Sequence, residues 1–186
     1  MTFTVIFLAS SYFLVFLGFI GLFFTEELST PYLAIAWASF VLAVLREVRG
    51  GKDLLPGPVV NVMIVGVFCL TLFSIFVLKT LPIQELVHFL LSLQAVKLLA
   101  PKKNRDWVQL YMLSFFSIVS ASALSVELSF ATIFILYLFA APWVLVLFHL
   151  KGAVEENGKD AERAHLLSWS LFRLVARISL FLLVLT

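Results

Sequence analysis

The feature that most constrains this chain is a series of apolar runs, each near the length that crosses a bilayer, separated by short polar breaks. A hydrocarbon core of roughly 30 Å takes about 20 apolar residues in a helix. Runs of that order lie at 3–24, 31–45, 58–78, 83–100, 107–126 and 128–150. In lipid every backbone N–H and C=O must be paired within the protein, so such runs are read as helices. Composition points the same way. Charged residues make up 13% of the chain and hydrophobic ones 62%, whereas a soluble domain carries roughly 25% charged residues. The expected fold is an all-α, polytopic transmembrane helical bundle with six complete spans plus a truncated seventh, forming a single membrane domain over 1–186.

The breaks between runs carry the signals of helix ends. Thr25-Glu26-Glu27 closes the first run, and Ser29-Thr30-Pro31 opens the second with a cap and a proline at the first helical position. The stretch from Arg46 to Gly57 combines paired glycines, proline and alternating charges, which reads as an aqueous loop. Pro82 follows a tight turn, and 101–106, PKKNRD, is a second basic loop. Within the runs, Ser10, Ser11, Gly18 and Gly21 allow a neighbouring helix to come close, and Ser117, Ala121 and Ser125 form a small-residue stripe. Pro142 marks a kink in the sixth span. The stretch 151–177 is a polar loop and amphipathic lead-in with Arg173 and Arg177. The apolar 178–186 is a partial span, too short to cross.

Charge orients the bundle. Cytoplasmic loops are enriched in Lys and Arg. With the N-terminus inside, the inner segments hold twelve of the thirteen basic residues and the outer turns only Lys79. The expectation is a multi-pass protein with a cytoplasmic N-terminus, whose seventh helix leads outward. The basic residues are spread over short loops and form no nucleic-acid patch. Lipid is the expected partner, and the PKKNRD segment with Lys97 is also placed to attract anionic headgroups.

Few residues offer chemistry. Glu85 and His88, three apart on one span, share a helical face with Ser92 one turn on. Ionisable groups within a span are costly and face the bundle interior or a water-filled cavity. Structural packing is the first reading of this group, a proton or ion pathway the second. A metal site is the third, since Glu-x-x-His is a ligand spacing of di-iron bundles but occurs here once. Cys69, the single cysteine, lies in an apolar run and is read as a small buried residue. There is no Ser-His-Asp arrangement, P-loop or dinucleotide fingerprint, so no catalytic residue, metal ligand or cofactor is expected in the chain.

At 97–139 the sequence resembles the N-terminal membrane domain of the bacterial transglutaminase-like TgpA family. The resemblance rests on Lys97-Leu98-Leu99, a basic linker ending in Arg105-Asp106, then Gln109-Leu110-Tyr111 and Leu113-Ser114-Phe115-Phe116. It implies the inner membrane of a bacterium, a family-like cytoplasmic loop at Lys97, Arg105 and Asp106, and a downstream extracytoplasmic cysteine acyltransferase or hydrolase domain. The chain stops before any such domain, so no catalytic residue carries over. The expected function is that of a membrane anchor, whose partners are the bilayer, other membrane proteins or the missing extracytoplasmic domain. The alternative is a small transporter or channel with a polar pathway at Glu85, His88 and Ser92, and an intramembrane enzyme using Glu85 and His88 is a third.

Overall fold

The computed structural model describes residues 3–25, 30–50, 55–125 and 127–156. Six helices follow in order: α1 (Phe3–Phe23), α2 (Thr30–Val48), α3 (Gly57–Phe76), α4 (Pro82–Leu99), α5 (Asn104–Leu124) and α6 (Leu128–Glu156). No strand occurs among the described residues. Proline sits in the first turn of α3 and of α4, where a missing N–H costs nothing and φ is already helical. Gly50 ends α2 in the left-handed region at φ 60°, its N–H bonded to the Glu47 carbonyl, a helix stop that glycine adopts without strain.

Several expected boundaries move. α2 continues to Val48, which puts Arg46 in its last turn instead of in a loop. α5 begins at Asn104 and not at Trp107, because the Asp106 carboxylate accepts the Lys103 backbone N–H at 3.1 Å and caps the new first turn. α6 runs through Pro142 and on to Glu156, past the expected end at 150. Cys69 is exposed on α3, not buried. Five of the six helices are long and apolar enough to cross a membrane. The exception is α4, an 18-residue helix diluted by Gln84, Glu85, His88, Gln94 and Lys97. The amphipathic lead-in with Arg173 and Arg177 and the partial span 178–186 lie outside the described residues.

The main neighbours of α1 are α5 and α6, not α2, while α2 and α3 both lean on α4, and α4 packs on α5. α1 and α5 run parallel: the Ser11 and Tyr111 hydroxyls share a 2.7 Å hydrogen bond, and Ser114 donates to the Leu14 carbonyl at 2.9 Å. Two glycines make this approach possible. A Cβ added at Gly18 would meet Ser114 Oγ at 2.5 Å and its Cα at 3.2 Å, and one at Gly21 would meet Ile118 Cδ1 at 2.7 Å. The helix stripes that meet are therefore small and partly polar. Ser11, Ser39, Ser114, Ser117 and Gln94 are all buried. The outward faces are apolar: of the twenty residues of α3 only Val60 is buried, while Val62, Val65, Phe68, Leu70 and Phe76 are exposed. A polar-glued interior inside an apolar exterior is the arrangement lipid selects, because tails solvate Leu and Phe as well as a core does. An apolar surface this extensive exceeds what water tolerates on a monomer.

The expected small-residue stripe divides between two neighbours. Ser117 donates to Gln94 Oε1 of α4 at 3.1 Å, whereas Ala121 packs towards Gly21 of α1. Ser125 is the C-cap residue of α5.

Candidate functional site

One end of the bundle gathers Arg46, Lys97, Lys102 and Lys151 with the start of α5. There the chain leaves α4 at Ala100 and turns through Pro101 into Lys102 and Lys103. Arg46 comes from α2 and is only 9% exposed. Its Nη1 donates to the Leu99 carbonyl at 3.2 Å and lies 3.4 Å from that of Ala100, so it satisfies carbonyls that the end of a helix leaves without intrahelical donors. Lys102 turns inward to the Tyr12 hydroxyl and lies 3.8 Å from the Glu47 carboxylate. Its ammonium also sits 4.5 Å over the Tyr12 ring and 5.3 Å over that of Trp107. Cation–π contact favours a charge held there. Tyr12 packs edge-on against Trp107, and so does Phe7, at 5.7 and 5.5 Å between centroids. From α6, Lys151 donates to Asn104 Oδ1 at 2.8 Å and covers the Phe7 ring.

Of the family-like loop residues, the structure brings Lys97 and Asp106 together. Lys97 Nζ donates to Asp106 Oδ1 at 3.2 Å. The pair joins the last turn of α4 to the first turn of α5, where each charge also opposes the local helix dipole. Arg105 is exposed, and with Lys97 and Asp106 it lines a groove of about 770 Å³ between α3 and α5.

The other expected site lies at the opposite end. Glu85, in the first turn of α4, is 7% exposed, and its Oε1 is 3.9 Å from His88 Nδ1, too long for a hydrogen bond. The His88 ring is stacked flat on Tyr32 of α2, with centroids 4.1 Å apart and 5° between planes. Neither of its ring nitrogens has a hydrogen-bond partner among the described residues. Ser92, half-buried one turn further along, makes no hydrogen bond to these groups among the described residues. The two ionisable side chains are thus brought together, and Tyr32 rather than Ser92 is their neighbour. No group of three His, Cys, Asp or Glu side chains suited to a metal ion occurs among the described residues.

A family model described as the TgpA N-terminal domain matches residues 8–186. The chain belongs to the TgpA N-terminal domain family. No curated protein and no solved structure matches it. Membership covers nearly the whole sequence, well beyond the segment at 97–139 that carries the resemblance. The structure explains that segment residue by residue. In this TgpA-type domain Asp106 caps α5, Trp107 and Leu110 are buried, Tyr111 bonds Ser11, and Ser114 is the surface that Gly18 meets. The residues that carry the resemblance therefore lie at one loop, the joint between α1, α4 and α5.

Reading the sequence for sites misses Tyr12, Arg46, Glu47 and Lys102, because each looks like a span residue or a loop charge until its remote partner is known. Trp107 beside the basic loop was the available signal, since an aromatic next to lysine invites a cation–π contact. One test follows. Arg46→Met leaves the Leu99 and Ala100 carbonyls without their donor and should destabilise the domain by about 1–3 kcal/mol. The unfolding midpoint in mixed micelles reads this, with the exposed Arg49→Met, expected within about 0.5 kcal/mol of wild type, as comparison.

Proposed function

We propose that this TgpA N-terminal domain is a membrane anchor of six crossings, N-terminus inside a bacterial cytoplasmic membrane. It would hold a transglutaminase-like acyltransferase or hydrolase on the outer side. The observation that carries the reading is the family match over 8–186 on a bundle whose exterior is apolar and whose interior is small and polar. α4 is the crossing that composition alone leaves out. It supports a crossing that α4 runs antiparallel to α3 and α5 and parallel to α2: Val96 and Ala100 meet Val60 near the start of α3, Lys97 meets Asp106 near the start of α5, and Tyr32 and Arg46 of α2 meet His88 near the start and Leu99 at the end of α4. Glu85 and Gln94 are buried within the bundle and Lys97 is paired with Asp106 at the helix end, which spares the hydrocarbon their cost.

Cysteine labelling tests the crossings. With Cys69→Ser as background, Lys79→Cys and Glu127→Cys should react with an impermeant maleimide in intact cells. Arg49→Cys and Arg105→Cys should react only after permeabilisation. Lys79→Cys and Arg105→Cys labelling from the same side would remove the α4 crossing. The return of α6 to the inside is tested with a phosphatase reporter that is active only outside the cell. It should be active when fused after Glu127 and silent when fused after Glu156.

A second reading, a polar pathway at Glu85, His88 and Ser92, draws on the buried carboxylate beside a histidine whose nitrogens lack hydrogen-bond partners among the described residues. The anchor reading accounts for Glu85 more simply, because a carboxylate in the first turn of a helix is favoured by the dipole. Proton flux into proteoliposomes discriminates the two. Equal flux for wild type and Glu85→Gln supports the anchor, and loss of a wild-type flux in the variant supports the pathway.

A further inference from the structure

We propose that the groove between α3 and α5 seats an anionic phospholipid of the surrounding bilayer, its phosphate held by Lys103 and Arg105. The inference needs the domain to be in a membrane but not any particular orientation. α3 and α5 both flank α4 without being main neighbours of each other, and the space left between them, about 770 Å³, is of the size that ligand sites have. Its mouth is basic. Lys97 is matched there by Asp106, which leaves Lys103 and Arg105, both exposed and with no ion pair among the described residues. The Asp106 carboxylate already caps the α5 N-terminus, so an anion would be held by the two side chains and not by backbone N–H groups.

The rest of the groove fits the other parts of a lipid. Ile64, Leu93, Met112 and Phe116 give it apolar walls, and Met112 and Phe116 are 56% and 52% exposed, so it opens sideways. An occupant can enter from the lipid phase. Gln109 also lines the groove, and its Oε1 is buried without a hydrogen-bond partner among the described residues. A headgroup hydroxyl would supply the donor. Charge at one end, hydrocarbon along the length and a waiting acceptor near the charge together match an anionic lipid with a polyol headgroup. A second copy of the chain would have to meet the basic mouth with acidic residues, and the exposed face of α3 carries none.

Native mass spectrometry of the full chain, released from micelles with equal amounts of phosphatidylglycerol and phosphatidylcholine added, tests this. Phosphatidylglycerol should be retained preferentially. The double variant Lys103→Gln/Arg105→Gln should bind it roughly 30-fold more weakly, with phosphatidylcholine unaffected. Folding should survive, because the cap uses the Lys103 backbone. Arg49→Gln/Lys79→Gln, which removes the same charge elsewhere, should retain the lipid. Met112→Trp should reduce retention with both charges intact, by filling the groove. Equal retention of the two lipids, undiminished phosphatidylglycerol binding by the Lys103/Arg105 variant, or a dimeric mass free of lipid would each overturn the proposal.

Discussion

Trp107→Ala should lower the stability of the domain by about 3–5 kcal/mol, the range for truncating a buried aromatic ring. The indole is 2% exposed and lies where α1, α5 and the α4–α5 loop converge. It packs against Phe7, Tyr12 and Tyr111 and forms one of the two aromatic faces under Lys102. Removing it opens a cavity that lipid cannot reach and takes away part of what holds a nearly buried ammonium in place. Reversible unfolding in mixed micelles is the measurement. Trp107→Phe should recover roughly half of the loss, since a smaller ring still fills part of the cavity. Phe73→Ala is the comparison: this ring is 53% exposed on α3 and should change stability by no more than about 0.5 kcal/mol. Equal losses at Trp107 and Phe73 would mean that burial in this bundle does not decide the cost.

Gly18→Leu is the second large effect, expected at about 3 kcal/mol or more, at the upper end for overpacking. Even the first added carbon meets Ser114 Oγ at 2.5 Å and the Ser114 backbone at 3.2 Å. A side chain can rotate away; a helix backbone cannot. Helix propensity pulls the other way, since every residue except proline is better than glycine in a helix interior, by up to about 1 kcal/mol. Gly66 separates the two contributions, because a Cβ there meets nothing within 4 Å. Gly66→Ala should therefore be neutral or slightly stabilising, while Gly18→Ala already destabilises. The same unfolding assay compares all three, and a neutral Gly18→Ala would show that α1 and α5 are not held this close. If the contact is lost, the Ser11–Tyr111 and Ser114–Leu14 hydrogen bonds go with it.

Much of this architecture was legible before any coordinates. Each of the six full-length apolar runs coincides with a helix, and most ends fall within a few residues of those expected, because proline, glycine and charge act on the backbone locally. The errors at Arg46 and at 104–106 share a cause. Polar residues were read as loop, yet in both places a helix continues because its polar groups find partners: Arg46 on the end of α4, and Asp106 on the Lys103 N–H and on Lys97. Cys69 was misplaced for the opposite reason. An apolar setting in the sequence was equated with burial, but α3 turns almost all of its surface outward. At the candidate sites, the pairing of Glu85 with His88 is a matter of spacing on one helix, whereas Tyr32 stacks on His88 from another helix and leaves no trace in that spacing.

What the sequence determined by itself is the solvent, the helical class and the approximate extent of each helix, since these depend on run length against bilayer thickness and on local breakers. It also determined that the basic residues alternate with the runs, and hence that most of them can share one end. Which faces meet was decided only in the tertiary structure. A helix that is apolar all round has no hydrophobic stripe to mark its inner face, and lipid tails compete on equal terms with a protein core for its side chains. Selection then falls to close approach at small residues and to hydrogen bonds between distant ones: Gly18 on Ser114, Ser11 on Tyr111, Gln94 on Ser117. Those pairings put α1 beside α5 instead of α2 and leave α4 as the main neighbour of α3, which opens the groove that the basic loop before α5 overlooks.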